Sequence, residues 1–323
     1  VTGGCGFIGS HVVDHLVAAG HDVVVIDNFS TGRPDNLAHH RGSPHVRLLE
    51  ADVADTKRLV PALAGARWMF HVAALADIVP SIQNPEAYVR ANVMGTLGAL
   101  EAARAVGVER FVYSASSSCY GIPDAYPTSE TAPIRTEYPY ALSKALGEEL
   151  VLHWARVYRL PVVSLRYFNV YGPRSRTSGT YGAVFGVFLA QKLHGRPFTV
   201  VGDGTQTRDF VFVTDVARAN LAAAESDCTG EIFNVGTGRP QSVNRLVELL
   251  GGPVVHVPKR PGEPDITHAD ITKIRQRLGW EPKVSFEEGV ATILEQIDYW
   301  RAAPVWTPET ISEATRDWFR YLS

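Results

Sequence analysis

Five unbroken apolar runs, at 22–26, 46–49, 68–72, 110–114 and 162–166, alternate with segments of helical periodicity through the first half of the chain. A strand with one wet face alternates apolar and polar residues. Unbroken runs instead fit strands covered on both faces of a parallel sheet. The segments between them, such as 11–19, 88–105 and 140–158, repeat their apolar positions at helical spacing. Strand, crossover helix and strand in succession predict a doubly wound α/β fold. Past residue 171 the texture changes. The stretch 175–182, rich in Gly, Ser, Thr and Arg, reads as a loop, and a helix near 184–194 and a short strand near 198–201 follow it. The expected division is a sheet domain at 1–171, with later returns to the sheet near 210–237, and a smaller interleaved region at 172–323. Trp300, Trp306 and Trp318 read as packing residues of an amphipathic ending docked on the body.

Composition narrows the class. The 323 residues, 45% hydrophobic and 20% charged, can bury a large core as ordinary globular proteins do. A formal charge of -3 gives no ground for a nucleic-acid or membrane-surface partner, and no apolar stretch is long enough to cross a bilayer. Cys5, Cys119 and Cys228 are too few and too scattered for a disulfide framework or a zinc site, so a reducing cytoplasm is the expected compartment. Only Val1 and Thr2 precede the first glycine loop, whereas a strand there needs about 5 residues. Further N-terminal residues, and no signal peptide, are therefore expected.

Gly3, Gly6 and Gly9 follow that strand position and open a helix. Such a loop brings backbone N–H groups and the positive helix end against a pyrophosphate, and glycine lets the backbone approach it. Alone, three glycines describe a plain turn as well. The next apolar run ends on Asp27, placed to accept hydrogen bonds from an adenosine ribose and to repel a 2′-phosphate. Arg33 is placed to meet such a phosphate, but the residue beside Asp27 is Asn28, not Arg, so NAD is expected rather than NADP. Asp52 and Val53, after the run at 46–49, lie where the adenine belongs.

Tyr140 and Lys144 stand four apart, on one face of a helix that Pro139 begins. A free tyrosine, with a pKa of about 10, is a poor base at neutral pH. A neighbouring ammonium and a positive nicotinamide ring favour its phenolate. The run before it leads into the serine-rich turn 114–118, at a strand end that would face the ligand crevice.

Taken in order, these features resemble the extended short-chain dehydrogenases/reductases that act on nucleotide sugars, a Rossmann-fold family. The resemblance spans essentially the whole chain: the glycine loop, 27–32, Asp52-Val53, the serine turn ending in Tyr120-Gly121, Tyr140/Lys144, 166–174, 202–210 and 260–263. Within it the likeness is greatest to the UDP-hexose 4-epimerases, isomerases that interconvert sugars such as UDP-glucose and UDP-galactose. The resemblance implies Ser116, Tyr140 and Lys144 as the catalytic set. It implies a cofactor site of Gly3, Gly6, Phe7, Ile8, Gly9, Asp27, Asn28, Ser30, Thr31, Gly32, Asp52, Val53, Ala73, Ala74, Leu75, Asn92 and Phe168, with Tyr140 and Lys144. Asn92 would help fix the lysine. Ser116 and Ser118 would meet the substrate, Asn169 and Arg208 would hold its diphosphate, Arg260 and Glu263 would lie on the phosphate and nucleoside ribose, and Phe198, Thr199 and Val200 would flank its base. The implied reaction oxidises the sugar at C4, turns the 4-keto sugar, and reduces it on the other face. The family often dimerises through the helices near 88–105 and 140–158, so a homodimer is implied.

Relatives that eliminate water or decarboxylate often carry a carboxylate just after the catalytic serine. Here Ser117 and Ser118 stand there, which favours the epimerase over a 4,6-dehydratase or decarboxylase. A non-catalytic NAD or nucleotide-sugar binder would not need the lysine-activated tyrosine. His11 and His15 have the spacing of a metal pair but no third ligand, and His39 and His40 read as surface residues, so no metal is expected.

Overall fold

The computed structural model describes residues 1–175 and 182–322. The strands Val23–Asp27, Val46–Glu50, Trp68–His71, Arg110–Ser116 and Val162–Tyr167 form where the unbroken apolar runs lie. Thr2 bridges in parallel to both Ile26 and His71, so Val1 and Thr2 occupy the central strand position. Across the sheet the order is Val46–Glu50, Val23–Asp27, Thr2, Trp68–His71, Arg110–Ser116, Val162–Tyr167 and Glu231–Val235, all parallel. The direction of winding reverses beside Thr2, and a doubly wound sheet opens its ligand crevice at such a reversal.

Helices cover both faces. Val12, Val13 and Leu16 of the helix Phe7–Ala18 join Val112, Val163 and Phe233 in one core. Leu100 and Ala103 of Gly95–Val106, with Val151 of Pro139–Tyr158, pack on the other side against Phe111 and Tyr113. A buried ion pair ties that second helix to the sheet. Glu148 receives Arg166 Nε at 3.0 Å and Ser164 Oγ at 2.6 Å, and Arg166 also reaches the Tyr120 hydroxyl at 2.8 Å.

The second region has a separate aromatic core, in which Phe210 stacks on Phe286 with ring centres 5.2 Å apart. Its strands Phe198–Val201 and Val254–Val257 pair in parallel, while Asn169–Tyr171 pairs with Phe210–Phe212. The chain then returns through the helix Val213–Glu225 to Glu231–Val235 of the main sheet. The helix expected near 184–194 spans Val184–Leu193. Most of the loop expected at 175–182 lies outside the described residues.

Candidate active site

A cleft opens along the carboxyl ends of the central strands, lined by Gly3, Gly6, Phe7, Ile8 and Gly9 at one side and by Tyr140 and Lys144 at the other. Two glycines leave no alternative residue. Gly3 adopts φ +65°, and a Cβ on Gly9 would stand 2.1 Å from the Gly3 carbonyl oxygen. The helix Phe7–Ala18 starts on Gly6 with no capping side chain, and first-turn amides have no partner within a helix. Such an end accepts a pyrophosphate. Asp27 takes the Cys5 N–H and the Phe29 N–H, each at 2.9 Å, so its carboxylate also locks the glycine loop. A Cβ on Gly32 would meet that carboxylate at 2.6 Å. Asn28 reaches across to Asp52 at 3.1 Å, and Asn28, Ser30, Thr31, Asp52, Val53, Ala73, Ala74 and Leu75 complete this wall. The cradle fits a dinucleotide.

At the reacting end Ser116 lies beside Tyr140, where its hydroxyl favours the phenolate, and its Oγ lies 2.8 Å from Ser118 Oγ. Burial pushes the Tyr140 phenol above its ordinary value, which Ser116 partly offsets. Burial also lowers the Lys144 ammonium to about 7, opposed by Glu148, and its Nζ sits 4.5 Å over the Tyr113 ring. The spacing predicts a phenolate favoured by its lysine. Desolvation dominates both groups instead, because each is buried away from water.

Asn92 differs from expectation. It is buried in a π-helical turn, where it receives Leu75 N–H at 2.7 Å and donates to Leu75 O and to Ser143 Oγ, each at 2.9 Å. It positions the cleft wall and the catalytic helix rather than bonding the lysine. Phe168 is also corrected: it lies in the core, 6.3 Å from the Tyr120 ring, not on the cofactor wall. Phe198 stacks on Phe188 at 5.0 Å, Val200 is fully buried, and Thr199 Oγ1 is held by Gln191 at 2.9 Å. Those three side chains build the second core and do not present a base-binding surface.

The implied diphosphate residues converge. Arg208 donates to Glu263 at 2.9 Å, and Arg260 meets the same carboxylate at 2.7 and 3.1 Å. Glu263 thus orients two cations instead of standing ready for a ribose, and both guanidinium groups hold its pKa down against burial. Asn169 accepts from Thr267 at 2.8 Å beside them. Sequence reading missed the aromatic bridge between this cluster and the catalytic end. The Tyr138 ring lies parallel to Tyr140 at 6.5 Å, Trp318 stands 6.4 Å from Tyr138, and Arg260 lies 5.0 Å over Trp318. Trp306 and Tyr299 line the cleft, and only Trp300 is wholly a packing residue. A run of Pro and aromatic residues near the C-terminal end was the available signal.

His11 hydrogen-bonds the Pro173 carbonyl at 3.1 Å and does not pair with His15. His39 and His40 are not idle surface residues: both meet Asp14, at 2.7 and 2.8 Å. Arg174 takes the other Asp14 oxygen at 2.8 Å, so the carboxylate is already neutralised.

The model of the NAD dependent epimerase/dehydratase family matches residues 1–236. The chain is 39% identical over 305 residues to the UDP-glucose 4-epimerase of Mycolicibacterium smegmatis, covering 91% of this chain and 96% of that one. It is 37% identical over 306 residues to UDP-glucuronic acid decarboxylase 2 of Arabidopsis thaliana, covering 91% and 67%. The solved UDP-glucose 4-epimerase of Thermotoga maritima, in complex with UDP-glucose, superposes with a TM-score of 0.84 at 37% identity, over 93% and 97% of the two chains. The UDP-glucuronic acid 4-epimerase of Bacillus cereus, with UDP-glucuronic acid and NAD, gives a TM-score of 0.86 at 31% identity over 92% and 98%.

Proposed function

The chain belongs to the NAD-dependent epimerase/dehydratase family, and from that premise we propose that it is a UDP-hexose 4-epimerase of the UDP-glucose/UDP-galactose type. The observation that carries this reading is the placing of Tyr140 and Lys144 at the end of a dinucleotide cradle, with Ser116 beside Tyr140 and no carboxylate at Ser117 or Ser118. The residues that would hold NAD are those of the glycine loop, Asp27, the wall from Ala73 to Leu75, and Lys144. When bound, NAD supplies a two-electron acceptor restored within each turnover, and a positive ring charge that favours the Tyr140 phenolate.

The chain's own work is then proton handling and grip. Tyr140 takes the proton of the sugar 4-hydroxyl at its phenolic oxygen and returns it later, with Ser116 sharing the hydrogen bond. Arg208 and Arg260 hold the diphosphate through charge-assisted bonds. Binding energy placed on the nucleotide leaves the keto sugar ring free to turn without escaping. Two turns of chemistry then need no second redox substrate.

Pairing is proposed through the catalytic helix. Val89, Met94, Leu142, Leu146 and Val157 are exposed apolar residues on or beside the two helices implied in dimerisation, and a second copy of the chain would cover them. The three buried free cysteines suit a reducing cytoplasm. The functional reading is tested by incubating the purified protein, without added NAD, with UDP-glucose, UDP-galactose and their N-acetylated counterparts. Formation of the C4 epimer is expected. Accumulation of a dehydrated keto sugar instead would sink it.

A further inference from the structure

The cleft that holds the glycine loop is also lined by residues from the far end of the chain, Tyr299, Ala303, Pro304 and Trp306. This segment belongs to the second core: Tyr299 and Trp306 pack against it, and the neighbouring Trp300 is fully buried in it. Gln191 holds the Trp306 carbonyl at 2.8 Å. One side chain of the segment crosses to the cofactor cradle. The Tyr299 hydroxyl donates to Asn36 Oδ1 at 3.2 Å, across 263 residues of sequence. Asn36 is buried, and its Nδ2 donates to the Cys5 carbonyl at 2.8 Å. Cys5 stands between two glycines of the loop, and its N–H is one of those that Asp27 receives. The Arg33 N–H donates to the same Cys5 carbonyl at 2.9 Å, and the Arg33 guanidinium lies 5.8 Å over the Tyr299 ring.

Both ends of the Asn36 amide are thereby used, one on the glycine loop and one on the second region. A contact that only filled space between the regions would need no polar pair, since an apolar pair does so without desolvating an amide and a phenol. Burial raises the Tyr299 phenol above its ordinary value, partly offset by Arg33, so it stays protonated and able to donate throughout the neutral range. The tie consists of the chain's own atoms and joins two parts of the cleft lining at its cofactor end. It therefore opposes the entry of a dinucleotide as much as its exit. An enzyme that restores its NAD in every turnover gains nothing from releasing it. From this we infer that Tyr299 and Asn36 form a latch between the NAD cradle and the second region, which must part before the cofactor enters or leaves. Tyr299 acts as a positioning residue: it sets how often the cleft opens and takes no part in the chemistry.

This inference rests on the epimerase reading, in which NAD stays resident, and one set of measurements separates the two. Wild type, Tyr299→Phe and Tyr299→Ala are loaded with radiolabelled NAD, and its release into excess unlabelled NAD is timed. Uptake by NAD-stripped samples is timed in parallel, with melting temperature and epimerisation of UDP-glucose measured alongside. Tyr299→Phe keeps the ring beneath Arg33 and loses only the hydroxyl. Release and uptake should both quicken by about 5-fold, and the dissociation constant should stay within about 2-fold of the wild type. Tyr299→Ala should quicken both by about 10²-fold. A residue that merely touched NAD would speed release alone and raise the dissociation constant. A residue that merely packed would lower the melting temperature and leave both rates unchanged. Either result in Tyr299→Phe overturns the latch while leaving the epimerase in place. A wild type that takes up NAD behind the latch but forms no UDP-galactose from UDP-glucose overturns the epimerase reading and leaves the latch standing.

Discussion

The glycine loop offers backbone to the cleft, whereas the Arg208–Glu263–Arg260 cluster offers side chains drawn from segments 55 residues apart. In the first region Gly3 and Gly9 approach so closely that any side chain is excluded, and Asp27 ties the loop to the adjacent strand. Its shape is a property of the sheet. In the second region one carboxylate orients two guanidinium groups, and a tryptophan of the final helix supports one of them. Its shape is a property of charge balance and of the late packing of the chain. A backbone site tolerates almost no added volume but many changes of charge nearby. A side-chain site should behave in the opposite way.

The widest separation between the regions is expected from Tyr140→Phe, which should lower kcat by about 10³-fold while bound NAD, released by denaturation and quantified, stays unchanged. Near-normal turnover would remove Tyr140 from its role. Arg208→Ala leaves Glu263 short of a cation and should raise the KM for UDP-glucose by about 10²-fold, corresponding to about 2.7 kcal/mol, again with NAD retained. In Gly9→Ala the added methyl meets the Gly3 carbonyl, so NAD content should fall and denaturant titration should show a loss of about 1–3 kcal/mol. If instead this variant kept its NAD and lost affinity for sugar, the division of the cleft would be drawn in the wrong place. Trp318→Ala removes the platform under Arg260 and should raise KM by about 10-fold at little change in kcat, since a desolvated cation–π contact contributes about 2 kcal/mol.

The smallest effect concerns pH. In the NAD-free protein Lys144 releases its proton near pH 7 when folded, against 10.5 when unfolded. Unfolding therefore takes up a proton between these values, and raising the pH stabilises the fold. Lys144→Met lacks this dependence. Its stability advantage over wild type should be greatest below pH 7 and shrink toward pH 10.5, as followed by denaturation of NAD-stripped samples.

The contrast also explains what could be read from the chain. The parallel sheet was legible because a strand buried on both faces leaves an unbroken apolar run, and Val23–Asp27 and Arg110–Ser116 form where such runs lie. The glycine loop was legible because a close approach admits only one residue type. Helical spacing puts Tyr140 and Lys144 on one face, and the serine turn before them and the family resemblance gave the pair its role. Phe198, Thr199 and Val200 were misplaced because a short apolar strand looks the same whether it lines a pocket or fills a core. Asn92 was expected to help fix the lysine and the active-site network; its side chain bonds Ser143, next to Lys144, and Leu75, partners set by a π-helical turn that no propensity marks. Trp318 and Tyr138 meet only when the last helix folds back, a contact between distant segments with no local signature. The positive φ of 78° at Asp77 has no local signature either, in a segment whose preceding residues Leu75 and Ala76 are held by Asn92 and Tyr88.

The central claim is that both regions act on one sugar carbon, which is oxidised and restored in a single turnover. It is tested most directly by giving the enzyme UDP-glucose deuterated at C4, in ordinary water, and following both epimers by NMR. Deuterium is predicted to remain wholly at C4 of the UDP-galactose formed, with no exchange at C5 when unlabelled substrate is run in heavy water. Migration of the C4 label to C6, or solvent deuterium appearing at C5, would contradict the account and point to elimination chemistry in its place.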